Sequence, residues 1–286
     1  MTDITRAISA ATAVAASLGL PADGAIVLHS SNRLALRLTP CDVLARVAPA
    51  GHGAARFEVE LARRLARAGC PTGLLEPRVA PRVYTRDGFT VTLWTYYETV
   101  APHSSPAGRA KALERLHAGM REVDVPCPRF TDRIAEAEEV VADPDRSPEL
   151  AAEDRAFLAG VLGSLRRSIE DRGAPEQLLH GEPHPGNVLG TEHGPLFIDL
   201  ETCCRGPVEF DLAHVAEAVA EHYPDVDQGL LDECRQLVLA MVAAWRWEGR
   251  DRLPDGRRFG VECLRSLRAG PPWPALDTVT GRLDAR

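Results

Sequence analysis

The sequence predicts an α+β protein with two lobes, in which a five-stranded antiparallel sheet near the N-terminus is followed by a mainly helical part. Two observations predict this class. Five short β-prone runs come before residue 96, with one amphipathic helix between the third run and the fourth. From about residue 104 onward, helical periodicity dominates. A run of strands followed by a run of helices is typical of α+β proteins.

The first lobe begins with a helix predicted over residues 4–18, which Gly19 and Pro21 end. Residues 54–68 have the apolar stripe of an amphipathic helix between the third and fourth strands. Asp87-Gly88 predicts a tight hairpin turn between the last two strands. The predicted strands are 25–29, 34–38, 43–47, 82–85 and 89–95.

The second lobe is predicted to be helical except for residues 180–201, where loops alternate with short strands. The boundary is expected at Tyr96-Tyr97-Glu98, which gives predicted domains 1–97 and 98–286. The predicted helices are 106–121, 131–142, 148–171, 208–222, 226–247 and 257–269.

Composition excludes several functional classes. The formal net charge of −8 argues against a nucleic-acid-binding surface, which needs a basic patch. No run approaches about 20 apolar residues and the N-terminal segment lacks a signal-peptide pattern, so we expect no membrane association. Seven cysteines without a CxxC pair predict reduced thiols in the cytoplasm. The sequence carries no signal that predicts an oligomeric state.

The strongest functional signal is the segment HGEPHPGN at residues 180–187, followed by FIDLE at residues 197–201. Glu182 and Asn187 stand five positions apart, and Asp199 follows twelve positions later at the end of a short apolar run. Phosphoryl transfer uses this inventory. One carboxylate orients the attacking hydroxyl, while an amide and a second carboxylate hold Mg²⁺ on the nucleotide phosphates.

These motifs resemble those of the aminoglycoside phosphotransferase and choline kinase family, whose catalytic loop typically reads HGDxHxxN and whose metal loop reads IDxE or IDW. The order of elements also matches, so the resemblance covers nearly the whole chain. It implies a bilobal protein-kinase-like fold in which 1–97 binds nucleotide and 98–286 carries catalysis and the acceptor. It implies a kinase that moves the γ-phosphate of ATP or GTP to a hydroxyl of an aminoglycoside-like antibiotic, an amino alcohol or a sugar.

The resemblance assigns the reaction centre to three residues. Asn187 and Asp199 match the family's Mg²⁺ ligands, and both are hard oxygen donors. Glu182 stands where the family has its catalytic aspartate, so it is the implied catalytic residue. Glutamate carries the carboxylate on a longer arm, and a misplacement of ~1 Å can cost about 10²-fold in rate.

Four further residues are expected to support these three. His180 and His184 are expected to hold the catalytic loop by hydrogen bonds to the backbone or to the metal-loop acid. Asp211 is expected to accept backbone hydrogen bonds from that loop, as an acid does at this point of kinase-like folds. Glu201 is expected to lie behind the metal ligands or to make a weak metal contact.

Arg46 stands on the third predicted strand, where kinases place the lysine that holds the α- and β-phosphates. Lys111 is the only lysine of the chain, so a lysine cannot fill this role from any other position. Glu58 is the first candidate for the helix glutamate that pairs with Arg46, and Glu60 is the second. They are two positions apart on a helix, so both cannot face Arg46.

Ser31 and Tyr96 complete the expected nucleotide contacts. Ser31 lies in the turn 30–32, which would cover the phosphates or would simply be a hairpin turn. Tyr96 lies in the segment 94–98, which would be the hinge beside the base, although its aromatic side chains would equally suit a core.

Two other functions remain open from the sequence. A catalytically inactive kinase-like nucleotide-binding protein would explain why Glu replaces Asp at 182 and Arg replaces Lys at 46, since both changes fall at functional positions. A zinc or non-haem iron enzyme is the third reading, because His180, Glu182 and His184 alternate and would share one face of an extended segment.

Overall fold

The computed structural model describes residues 3–30, 33–51, 53–100 and 105–284, which form an α+β protein of two compact units. The first unit is Met1–His103 with Leu189–Glu201, and the second is Ser104–Val188 with Thr202–Arg286. The predicted fold class is confirmed, whereas the predicted domain limits and their roles stay predictions. Among the described residues, no helix has the length and apolar character needed to cross a membrane. None of the seven cysteines, all of which lie in the described ranges, forms a disulfide bond.

The sheet of the first unit contains the five predicted strands. Its spatial order is β1-β2-β3-β5-β4, and each neighbouring pair runs antiparallel. The strands are β1 (Ala22–Ser30), β2 (Leu34–Pro40), β3 (Val43–Pro49), β4 (Tyr84–Arg86) and β5 (Phe89–Thr95).

Side chains alternate between the two faces of this sheet, so that one face packs in the core and the other carries Arg46. Helix α1 (Asp3–Ser17) buries Ala7, Ala11 and Val14 in the same core as the buried residues of β2, β3 and β5. Along β3, Val43 and its alternate neighbours enter this core, so Arg46 projects from the opposite face. Helix α2 (Ala54–Arg67) supplies the buried partner of Arg46 and therefore lies on that second face.

The segment Leu189–Glu201 belongs to the first unit because its backbone is bonded to the loop after α2. Strands β7 (Val188–Thr191) and β8 (Gly194–Phe197) form a two-stranded sheet. The N–H of Phe197 donates to Pro71 O at 2.8 Å, and Phe197 O accepts from Gly73 N–H at 3.0 Å. These two bonds fix the chain just before Asp199.

The second unit is mainly helical, and α8 lies at its centre. This helix packs against α4, α5, α6 and α9 and is buried along most of its length. The helices are α3 (Pro106–Arg121), α4 (Phe130–Ala142), α5 (Ala152–Arg172), α6 (Val208–Leu212), α7 (Glu217–Ala220), α8 (Gln228–Arg246), α9 (Gly256–Ala269) and α10 (Leu276–Asp284). Two short strands, β6 (Gln177–Leu179) and β9 (Cys204–Gly206), pair antiparallel.

The single helix predicted over 208–222 is wrong, because the chain breaks between α6 and α7. The reason is tertiary. The carbonyl of Ala213 accepts the N–H of Leu276, and the carboxylate of Glu217 accepts the N–H of Ala275 and the hydroxyl of Thr278. These contacts fix the start of α10, a helix that the sequence pattern did not predict.

Candidate active site

The backbone of the candidate catalytic loop is held by a buried carboxylate. Strand β6 leads into His180 and Gly181, while its partner β9 leads into α6, which carries Asp211. Asp211 is fully buried and accepts the N–H of His180 at 2.9 Å and the N–H of Gly181 at 2.7 Å, one on each oxygen. The paired strands therefore bring the loop and this carboxylate together.

Asp211 is in turn held by a hydrogen-bond chain from α3. His117 Nε2 lies 2.9 Å from Asp211 Oδ2, and His117 Nδ1 lies 2.8 Å from the hydroxyl of Tyr223. Because an ionised carboxylate can only accept, His117 donates from Nε2. Burial by itself would raise the pKa of Asp211, but the bond from His117 and the electrostatic effects of His117, His180 and His214 together lower the pKa.

Gly181 is required by the course of the loop. Its φ of 88° lies in the left-handed region, and a Cβ at this position would overlap the carbonyl oxygen of Thr202. The Thr202 hydroxyl also donates to His180 O at 3.2 Å, so the two segments lie against each other. A side chain at 181 would force them apart.

Glu182 forms an ion pair with Arg133 of α4. One guanidinium nitrogen of Arg133 contacts Glu182 Oε1, and the other donates to Gly181 O at 2.9 Å. The guanidinium carbon lies 5.2 Å from the ring centroid of Trp245 and 6.0 Å from that of Phe210. Burial would raise the pKa of Glu182, but the charge of Arg133 lowers it, so the carboxylate is ionised.

A buried histidine lies next to this pair. His214 donates from Nδ1 to Phe210 O at 2.9 Å, and its ring packs against the edge of Phe210 at 5.3 Å between centroids. Burial lowers the pKa of His214 to about 4, although the charge of Glu182 acts in the opposite direction. The imidazole is therefore neutral near pH 7.

Asn187 closes a single turn of 3-10 helix over Pro185–Asn187. Its Nδ2 donates to Glu182 O at 3.0 Å, which fixes the amide plane and leaves Oδ1 as the acceptor end of the side chain. His184 Nδ1 accepts the N–H of Gly186 at 3.1 Å, and its ring leaves no room for a Cβ at 186. Asn187 and His184 thus both form hydrogen bonds within the loop.

The structure does not support the zinc or iron reading. The His180 ring accepts the N–H of Glu182, while His184 caps the 3-10 turn and Glu182 pairs with Arg133. Throughout residues 3–30, 33–51, 53–100 and 105–284, no three His, Cys, Asp or Glu side chains are grouped so that they could hold a metal ion.

In the first unit, five charged side chains alternate in sign. Glu58 is only 1% exposed and accepts Arg46 Nη1 at 2.7 Å, while its other oxygen contacts Arg33. Arg46 Nη2 donates to Asp199 Oδ1 at 2.8 Å. Arg33 also contacts Glu201. We name these five residues the ion network.

The ion network decides between the two candidate glutamates of α2. Glu58 binds Arg46, whereas Glu60 lies at the surface and binds Arg63 and Arg64 at 2.8 and 2.7 Å. Asp199 reaches Arg46 with a φ of 66°, a left-handed conformation that aspartate tolerates better than most residues.

The two remaining predicted nucleotide contacts stay predictions. The ring of Tyr96 packs under the guanidinium of Arg37, 4.2 Å from its centroid, and its hydroxyl accepts from Arg37 at 3.5 Å. Ser31 lies outside the described residues.

A sequence model of the APH phosphotransferase enzyme family matches residues 27–253. The chain belongs to this phosphotransferase family. The matched range includes parts of both compact units, among them the loop with Glu182 and the segment with Asp199. No curated protein has a significant match to the sequence.

Solved structures similar to this chain include small-molecule kinases. The amicoumacin kinase hAmiN, in complex with AMP-PNP, has a TM-score of 0.69 at 10% identity and covers 87% of this chain and 89% of its own. A choline/ethanolamine kinase family protein from Mesorhizobium loti has a TM-score of 0.69 at 19% identity, with 94% and 97% covered. Spectinomycin phosphotransferase APH(9)-Ia, with ADP and spectinomycin, has a TM-score of 0.60 at 14% identity, with 92% and 94% covered. These TM-scores show that the chain shares the fold of these structures.

Sequence reasoning missed both arginines that pair with the predicted carboxylates. Arg133 lies 49 positions before Glu182, and Arg33 lies 25 positions before Glu58. Neither belongs to a motif. The only available signal was chemical: a glutamate predicted on a buried helix face or in a catalytic loop needs a counter-charge.

Replacing Gly181 by alanine should destabilise this phosphotransferase. The left-handed φ costs about 1–2 kcal/mol, and overlap with Thr202 O adds roughly 1–3 kcal/mol. Gly173 is the matched control, because its φ of 57° is also left-handed but a Cβ there meets no atom within 4 Å. Urea unfolding should show a clearly larger loss for Gly181→Ala than for Gly173→Ala. Equal losses would contradict the close approach at Thr202.

Acid should destabilise the protein through His214. Its folded-state pKa of about 4 lies below the unfolded value near 6.5, so the unfolded state takes up the proton first as the pH falls. The stabilising contribution is present above about pH 6.5 and is lost as the pH falls to about 4. Between about pH 7 and 4.5, urea unfolding should show a loss of roughly 2–3 kcal/mol from this group.

The variant His214→Leu isolates that contribution, since its unfolding free energy should lack this part of the pH dependence. His193 is exposed, so His193→Leu should keep the wild-type dependence. An unchanged pH dependence in His214→Leu would show that His214 is not the group responsible.

Proposed function

We propose that the chain is a kinase that transfers the γ-phosphate of ATP or GTP to a hydroxyl group of a small molecule. The observation that carries this proposal is the 2.8 Å contact between Arg46 and Asp199, with Glu58 buried behind it. It joins the residue at the phosphate-binding position to the carboxylate of the metal-loop motif. Membership of the phosphotransferase family supports the same reaction.

In this proposal, Glu182 acts on the acceptor. Its ionised carboxylate accepts a hydrogen bond from the hydroxyl and orients the oxygen for in-line attack. The acceptor oxygen bonds to the γ-phosphorus, the bond from that phosphorus to the β,γ-bridging oxygen breaks, and the nucleoside diphosphate leaves. The hydroxyl proton passes to Glu182 and then to solvent.

Asn187 and Asp199 are the proposed Mg²⁺ ligands, and their chemistry fits the ion. Both present hard oxygens, and Arg46 engages Oδ1 of Asp199 while a carboxylate has a second oxygen to offer. The ion network contains three carboxylates and two guanidiniums, so one negative charge within it is uncompensated. Bound magnesium supplies positive charge against the phosphate oxygens.

The nucleotide is proposed to contact Arg46, with Glu58 fixing the guanidinium, and Ser31 and Tyr96 near the phosphates and the base. The similar structures contain AMP-PNP, ADP or GDP, so either purine nucleotide is a candidate. Their names include amicoumacin, spectinomycin, choline and fructosamine, which supports an acceptor among antibiotics, amino alcohols and sugars.

A second candidate is a nucleotide-binding protein of this fold that does not transfer phosphate. The observation that favours it is the Glu182–Arg133 pair, because the guanidinium lowers the pKa of the carboxyl and makes it a weaker base. Calorimetry with ATP or GTP and Mg²⁺, followed by single-turnover assays, separates the two functions. Binding without turnover of any acceptor would favour this candidate.

The variant Glu182→Gln tests the kinase proposal. It keeps the shape of the side chain but removes the charge that accepts the proton, so kcat should fall by about 10²–10⁴-fold. Nucleotide binding measured by calorimetry should not change. The assay follows diphosphate release with choline, spectinomycin, kanamycin or water as acceptor.

Glu60→Gln is the matched control, because Glu60 is a surface glutamate that pairs only with its helix neighbours Arg63 and Arg64 among the described residues. Its kcat should equal that of the wild type. Full turnover by Glu182→Gln would remove Glu182 from the mechanism, and thermal unfolding of both variants shows whether either has lost its fold.

A further inference from the structure

We propose that Arg133 is a positioning residue for Glu182, which holds one oxygen of the longer carboxylate so that the other faces the acceptor hydroxyl. This inference rests on the proposed kinase function. Arg133 contacts Oε1, so Oε2 is the oxygen that this pair leaves for the acceptor. Arg133 touches the catalytic side chain rather than the reacting atoms.

Arg133 is itself fixed by contacts that do not involve the Glu182 side chain. Its second nitrogen donates to Gly181 O at 2.9 Å, and Gly181 N–H is bonded to Asp211. Trp245 packs against the guanidinium from α8, at 5.2 Å. The side chain of Arg133 is 13% exposed. A guanidinium fixed in this way can hold the carboxylate of the flexible Glu182 side chain in one position.

The pair depends on the length of glutamate. One C–C bond is about 1.5 Å, so an aspartate at 182 would hold its carboxylate that much closer to the backbone and away from Arg133. Glutamate without Arg133 would have an extra rotatable bond and no fixed position. The longer arm and the arginine therefore act as one unit.

A purely structural ion pair would behave differently. Arg129 and Glu176 form such a pair at the start of the same helix, at 2.7 Å, with the arginine half exposed. Arg133, by contrast, bonds both the backbone and the side chain of the candidate catalytic loop. Arg129→Met is therefore the matched control for Arg133→Met.

The test is a double-mutant cycle in kcat with Glu182→Asp, Arg133→Met and the double variant. Diphosphate release from ATP and GTP is measured with choline, spectinomycin, kanamycin and water as acceptors. In the wild-type background, Arg133→Met should lower kcat by about 100-fold, with an unchanged nucleotide KM. In the Glu182→Asp background the same change should have little effect, because aspartate does not reach Arg133.

Arg133→Lys should restore part of the lost kcat, since lysine keeps the charge but not the two-pronged contact. Arg129→Met should leave kcat unchanged. Equal losses from Arg133→Met in both backgrounds, or a rise in KM without a loss of kcat, would overturn the positioning role. If Arg133→Met does not fold by circular dichroism, Arg133→Lys replaces it in the cycle.

The double-mutant cycle tests the role of Arg133 separately from the kinase activity. An active wild type with an additive cycle overturns the role of Arg133 alone. A wild type that binds nucleotide but shows no turnover with any acceptor or with water overturns the kinase function, and the positioning role with it.

Discussion

The buried carboxylate of Asp211 is the contact on which the candidate catalytic loop depends. It binds two consecutive backbone N–H groups, at His180 and Gly181, and through His117 it is connected to α3. Removing the carboxylate would leave these two buried N–H groups without an acceptor, at a cost of about 1–3 kcal/mol each. The pairing of β6 with β9 brings Asp211 to the loop, and Gly181 lets the loop pass Thr202. The strand pairing, Gly181 and the Asp211 hydrogen bonds therefore fix the backbone of this loop together.

The ion network explains why arginine suits position 46. Arg46 uses one nitrogen for Glu58 and the other for Asp199, so a single guanidinium bridges two carboxylates. A planar fork does this with fixed geometry, whereas a lysine has one nitrogen at the end of a flexible stem. Arg33 repeats the arrangement between Glu58 and Glu201. Glu58 can therefore be almost completely buried, since each of its oxygens has its own arginine.

Local patterns predicted the elements of the fold, and long-range contacts account for what they missed. All five strands and α2 follow from alternation, helical periodicity and the turn residues Asp87 and Gly88. The break after α6 depends on Leu276, some sixty residues away, so no window of sequence contains it. The same limit applies to the site. Glu182, Asn187 and Asp199 stand in motifs, whereas Arg133 and Arg33 are defined only by what they touch in three dimensions.

Glu182 and Arg46 both differ from the family motifs, and each of them is paired with an opposite charge. An active site that decays loses charges or leaves them unpaired, and unpaired buried charges are costly. Here the glutamate at 182 meets Arg133, and the arginine at 46 meets both Glu58 and Asp199. The longer side chain of Glu182 contacts Arg133, and the forked guanidinium of Arg46 contacts two carboxylates at once. A Glu182 that merely filled space would not need a guanidinium that also bonds the preceding carbonyl. The two replacements are therefore better explained as paired changes, each matched by an opposite charge, than as independent losses.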